Sequence, residues 1–132
     1  AYTFHTGNKF NFIDQILVKI LNRNPIIEPE VQYVIDGVEL SRGKIQMQKL
    51  INDTGWSRQH LTRQFQKRTG LTPKFFSQVI RVNSVIKVHQ DEKNGYSLGD
   101  LAQLCGYYDQ SHMTNEFRRI TGCTPKFFLK NV

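Results

Sequence analysis

Two stretches of this chain, RQHLTRQFQKRTGLTPKFF at 58–76 and QSHMTNEFRRITGCTPKFF at 110–128, align without a gap at a displacement of 52 residues. Ten of the 19 aligned positions are identical: His60/His112, Thr62/Thr114, Phe65/Phe117, Thr69/Thr121, Gly70/Gly122 and the run TPKFF at 72–76 and 124–128. Upstream the match continues at a displacement of 51, pairing Met47 with Leu98, Leu50 with Leu101, Ile51 with Ala102 and Gly55 with Gly106. The second copy therefore carries one extra residue just after its glycine. Inside a helix an inserted residue rotates every later side chain by about 100°, so the insertion marks a turn, at 55–57 and at 106–109. Internal repetition of this kind constrains the fold first, because both copies must adopt the same unit.

Each copy reads as helix, turn, helix. Ser97 is placed to cap a helix that carries Leu98, Leu101 and Leu104 and stops at Gly106. Trp56 in the first copy, and Tyr107 with Tyr108 in the second, cover the bend. Ser57 and Asp109 are the right residue types to cap the second helix of each pair. Its inward positions are Leu61 and Phe65 in one copy, and Met113, Phe117 and Ile120 in the other. Gly70 and Gly122 stand where a left-handed helix cap is expected. Thr72-Pro73 and Thr124-Pro125 then open another helix each, proline being favoured at the first helical position. No segment alternates with a period of two, so the fold class is all-α. A helix over about 73–90, with Phe76, Val79, Ile80, Val82/Asn83 and Ile86 inward, makes a rod of roughly 27 Å between the copies. That length approaches the roughly 34 Å turn of a DNA duplex.

The chain has 132 residues and a formal net charge of +7, a length that suits one domain, or one domain plus an appendage. Apolar runs are no longer than stretches such as Ile16-Leu17-Val18, too short for a membrane helix. Two cysteines, Cys105 and Cys123, suit a reducing cytoplasmic setting and read as small packing residues. The charge is unevenly spread. Residues 1–40 hold three bases and five acids, whereas 41–132 hold fifteen bases and six acids. Such asymmetry directs attention to a polyanion as partner of the region after residue 40.

In a helix-turn-helix the second helix enters the major groove with its first turns on the base edges. With Leu61 and Phe65 inward, Arg58, Gln59, Thr62, Arg63 and Gln66 form the outer arc of the first copy. The second presents Gln110, Ser111, Thr114, Asn115 and Arg118. Arg suits guanine, Gln or Asn suits adenine, and the Thr methyl suits thymine. Base reading is therefore expected of Arg58, Gln59, Thr62, Arg63, Gln110, Ser111, Thr114 and Asn115. Phosphate contact is expected of Lys44, Lys49, Lys67, Arg68, Lys74, Arg118, Arg119 and Lys126. His60 and His112 read as residues that pack or bond the turn, in preference to base contacts. Neither has a partner at metal-ligand spacing, so no metal or other cofactor is expected. Catalytic motifs are also missing, and the chain does not read as an enzyme.

The segments SLGDLAQLCGYYDQ and GYYDQSHMTNEFRRITGCTPKFF resemble the second helix-turn-helix signature of the AraC/XylS family of bacterial transcription regulators. WSRQHLTRQFQKRTGLTPKFF resembles the family's more variable first motif. The resemblance covers about residues 30–131. It implies a seven-helix domain, with helix-turn-helix units at about 44–70 and 97–122, acting as a monomer on roughly 18–20 base pairs of double-stranded DNA. It further implies an activator that touches RNA polymerase. The family's base-reading positions fall on Gln59, Thr62 and Arg63, and on Gln110, Ser111, Thr114 and Asn115. The family commonly has Arg at position 115 and Phe at position 113, so a guanine preference does not carry over to Asn115.

Residues 1–28 lie outside the shared motif and are expected to form a helical arm or inter-domain linker, leaving 29–132 as the DNA-binding domain. Phe12, Ile13, Ile16, Leu17, Ile20 and Leu21 outline an extra amphipathic helix, broken by NRNPIIEP. That helix either packs on its own domain, links to a sensor domain or makes a dimer contact. From about Glu30 to Leu40 a helix turns Val31, Val34, Ile35 and Val38 inward. Family members usually carry an N-terminal effector domain, and the chain begins with Ala; a fragment of a longer regulator is expected, a short stand-alone member being the alternative. The competing function is a helical protein-interaction module whose basic face is incidental.

Overall fold

The computed structural model describes Gln15, residues 27–92 and residues 95–131. Among these residues the chain forms seven helices and no strand: α1 Pro29–Leu40, α2 Met47–Thr54, α3 Arg58–Thr69, α4 Pro73–Asp91, α5 Leu98–Leu104, α6 Gln110–Thr121 and α7 Pro125–Lys130. The all-α expectation holds. Apart from Gln15, the amphipathic helix expected around 10–22 lies outside the described residues.

The repeated residues are repeated for local reasons. Ser57 Oγ accepts the His60 backbone N–H at 3.1 Å, and Asp109 Oδ1 accepts that of His112 at 2.7 Å, so α3 and α6 start on equivalent caps. At their far ends the chain passes through Gly70 and Gly122, both at φ 80°, a left-handed conformation that glycine adopts without a side-chain clash. Thr69 and Thr121 each donate a hydroxyl hydrogen to the carbonyl four residues back, at 2.8 Å in both copies. Thr72 and Thr124 then cap α4 and α7, accepting the backbone N–H of Phe75 and Phe127 at 3.1 and 3.2 Å. Ser97 and Asp100 close a reciprocal capping box at the start of α5.

The apolar face of α4 joins the two copies. This helix packs against α1, α2 and α3 on one side and against α5 and α6 on the other. Phe76, Val79, Ile80, Val82, Asn83, Val85 and Ile86 are all buried along it. In each copy the recognition-type helix packs a phenylalanine against one early in the next helix: Phe65 tilted against Phe76 at 5.7 Å, and Phe117 edge-on to Phe128 at 5.3 Å between ring centres. Val31, Val34, Ile35 and Val38 of α1 are fully buried and close the first copy. One continuous core results.

One sequence expectation, on the tyrosines of the second bend, needs correction, and Leu104 departs from the core stripe of its helix. Leu104 does not face inward; it is 43% exposed, and Ala102 and Cys105 are buried instead. A strict spacing of three drifts about 60° backwards per step, so the core stripe runs through Leu101, Ala102 and Cys105 and leaves Leu104 behind. Of the two tyrosines at the second bend only Tyr107 covers it, for Tyr108 is 93% exposed.

Candidate nucleic-acid interface

Burial of Leu61 and Phe65 on α3, and of Met113 and Phe117 on α6, fixes which side of each helix faces outward. On α3, Arg58, Gln59, Arg63, Gln66 and Lys67 are exposed and Thr62 is half-buried. These six residues line one shallow concavity of the surface. On α6, Gln110, Ser111, Asn115 and Arg118 are exposed and Thr114 is half-buried in the same way. The two outer arcs are thus equivalent in position, and each begins at the capped end of its helix. Arg58 is already engaged: its Nε and Nη2 donate to Gln48 Oε1 of α2, with Nε at 3.1 Å. Gln48 in turn donates to Asn52 at 2.7 Å, which holds the first turn of α3 against α2.

The histidines belong to the turns. His60 is half-buried with its ring 4.4 Å from that of Trp56. His112 is more exposed than its copy, but its Nδ1 accepts the Tyr108 backbone N–H at 3.3 Å and its ring meets Tyr107 edge-on at 5.2 Å. Both therefore tie a recognition-type helix to the bend before it.

Around these arcs lie the bases expected to meet phosphates. Lys44, Lys49, Lys67, Lys74, Arg118, Arg119 and Lys126 are all exposed. Lys67 and Arg68 close α3, and Arg118 and Arg119 close α6, where positive charge also complements the helix dipole. Arg68 stands apart from the exposed set. It is half-buried and forks onto Glu28, with Nε at 3.0 Å from both carboxylate oxygens and Nη2 at 2.6 Å from Oε1. That hydrogen-bonded guanidinium holds the Glu28 carboxyl below its ordinary value of 4.5.

A second ion pair was not foreseen from the residues. Arg81 of α4 donates Nε and Nη2 to the two carboxylate oxygens of Glu116 on α6, at 2.9 and 2.7 Å. Glu116 is 2% exposed. A signal for it existed, since Glu116 sits three residues after Met113 and next to Phe117, on the apolar face of its helix.

Burial pushes the Cys105 thiol above its ordinary value, and burial does the same to the Tyr107 hydroxyl. Among the described residues no three His, Cys, Asp or Glu side chains gather in a way that would hold a metal ion. No helix of theirs is long and apolar enough to cross a membrane.

With two capped helices presenting equivalent polar arcs, comparison with known proteins is decisive. Residues 50–131 match the family described as "Helix-turn-helix domain". The chain belongs to this AraC-type helix-turn-helix family. The domain is 36% identical over 97 residues to the uncharacterized HTH-type transcriptional regulator YbfI of Bacillus subtilis (strain 168), covering 73% of this chain. It spans only 34% of that relative's length. Among solved structures it resembles the DNA-binding domain of AdpA, a global transcriptional factor, in complex with a target DNA. The TM-score is 0.65 and the identity 23%, over 78% of this chain and 91% of that one. It also resembles the xylose-binding transcription activator XylR, with a TM-score of 0.62 and 18% identity, over 81% of this chain and 28% of that one. At these identities the two structures establish the shared AraC-type fold.

Proposed function

We propose that this AraC-type domain binds double-stranded DNA in a sequence-specific manner in transcription regulation, with α3 and α6 in successive major grooves of one duplex. The observation that carries the reading is the equivalence of the two outer arcs. Two helices started by the same kind of cap and anchored by the same phenylalanine present polar side chains at matching positions. The 19 residues of α4 give a rod of about 28 Å between the copies, near the spacing of adjacent major grooves. Base edges are read by Arg58, Gln59, Thr62, Arg63, Gln110, Ser111, Thr114 and Asn115. Lys44, Lys49, Lys67, Lys74, Arg118, Arg119 and Lys126 hold phosphates and set the register, and Arg68 joins them only by leaving Glu28. The relatives YbfI and XylR, both transcription regulators by name, support placing residues 29–132 as the DNA-binding part of a bacterial regulator that works in the cytoplasm. In such a regulator the partners beside DNA are RNA polymerase, with activation as the outcome, and a sensor domain in a longer protein.

Selection of bound sequences from a random duplex pool tests this. The expected product is a bipartite motif with its halves about one helical turn apart, and a binding constant that falls steeply as salt rises. A pool that stays random, or binding indifferent to salt, would instead mark the domain as a protein-interaction module.

A further inference from the structure

Arg81 stands where three parts of the molecule meet. Its Nε and Nη2 fork onto Glu116 in the middle of α6. Its Nη1 donates to the Gly43 carbonyl at 3.0 Å, in the turn between α1 and α2. Its guanidinium carbon lies over the Tyr107 ring, 5.1 Å from the ring centre, in the bend between α5 and α6. A single planar group thus bonds the second recognition-type helix, the bend that leads into it and the turn that opens the first unit.

The turns around it are closely packed to match, by the α4 backbone at Gly43 and by the Lys44 side chain at Gly106. At Gly43, with φ 78°, an added Cβ would sit 2.7 Å from the Ser77 carbonyl and 2.9 Å from Arg81 Cβ. At Gly106, with φ 83°, it would sit 2.7 Å from Lys44 Cγ. The turn of the first unit therefore rests directly on the turn of the second, and Arg81 stitches the two. Neither partner reaches the outer arcs: Glu116 is buried and Arg81 is only 16% exposed. At the position equivalent to Glu116 the first unit carries Gln64.

We infer that Arg81 and Glu116 are positioning residues that set the distance and rotational phase between the two recognition helices, and so select the spacing of the half-sites on DNA. The inference rests on the reading that both helices engage one duplex. Two linked modules gain about 10²–10⁴ in affinity over one, but only where geometry lets both engage. One base pair turns a half-site by about 35° around the duplex axis, so a stiff joint rejects a wrong spacer and a loose joint tolerates it. A buried ion pair suits such a task because its bidentate geometry allows one orientation, while its net contribution to stability is small.

The test measures affinity for duplexes carrying both selected half-sites with the spacer changed by one or two base pairs, and for duplexes carrying either half alone. The proteins are wild type, Glu116→Gln and the double variant Arg81→Met/Glu116→Leu, which replaces the buried charges with an apolar pair. Helix content and Tm are followed throughout. Wild type is expected to lose about tenfold or more for each base pair of change, within the range of coupling between linked sites. Both variants are expected to flatten that profile to within about threefold, while their single-half affinities stay within about twofold of wild type. A variant with native helix content and an unchanged spacing profile overturns the inference and leaves the two-groove reading standing. So does equal loss on half-sites and full sites, which would make the pair a local prop for α6. A wild type indifferent to the spacer defeats the two-groove reading, and the inference falls with it. If the double variant does not fold, Glu116→Gln decides by the same outcomes.

Discussion

Glu28 and Arg68 meet across 40 residues of sequence, the carboxylate ahead of α1 gripping the guanidinium near the end of α3 at 2.6 Å. The contact lowers the Glu28 pKa from its ordinary 4.5, chiefly through the hydrogen bond from Arg68. A carboxyl with a lowered folded-state pKa contributes stability that is complete above the unfolded value and lost as pH falls through the folded one. Glu28→Gln should therefore melt below wild type at neutral pH, with the gap closing as pH drops below 4.5. Thermal melts across that window check it. No gap at neutral pH, or one that does not change in acid, would mean the pair is broken in solution.

Lys67 and Lys126 are exposed bases assigned to phosphates. Lys67→Ala and Lys126→Ala should each weaken specific and random duplexes alike, and each should reduce the slope of log affinity against log salt by about one. Titrations at three salt concentrations give the slopes. Weakening confined to the selected sequence would move that lysine into the reading set.

Gly43 and Gly55 share a left-handed backbone, at φ 78° and 76°, but differ in surroundings. Around Gly55 nothing lies within 4 Å of an added Cβ. Gly55→Ala should cost only the conformational penalty, about 1–2 kcal/mol. Gly43→Ala adds collision with the Ser77 carbonyl and the backbone of α4, an overpacking cost of roughly 1–3 kcal/mol more. Denaturant unfolding of the two variants should keep that order, and equal losses would show that the turn at Gly43 does not rest on α4.

Much of this architecture was legible because the repeat states it twice. Phe65 and Phe117, Gly70 and Gly122, and Thr72 and Thr124 each do one local job, and local jobs follow from spacing and residue type. The outer arcs were legible for the same reason, being what remains once Leu61, Phe65, Met113 and Phe117 are turned inward. Leu104 stays exposed because a three-residue spacing drifts off the helical stripe that Cys105 follows. The ion pairs were harder to see. Arg68 and Arg81 count as surface charge in any composition argument, and their partners lie 40 and 35 positions away, brought close only by packing against α1 and α4. Glu116 alone gave a hint, an acid on the apolar face of its helix.

The central claim is that α3 and α6 each read one half of a bipartite site. The most direct measurement compares wild type, Arg63→Ala and Asn115→Ala on the selected duplex and on two versions with either half scrambled. On the intact site each variant should lose about 1–3 kcal/mol. With the first half scrambled the Arg63→Ala loss should vanish while the Asn115→Ala loss persists, and with the second half scrambled the pattern should reverse. Losses that stay the same on all three duplexes, or that fail to appear on the intact site, would contradict the assignment of one helix to each half.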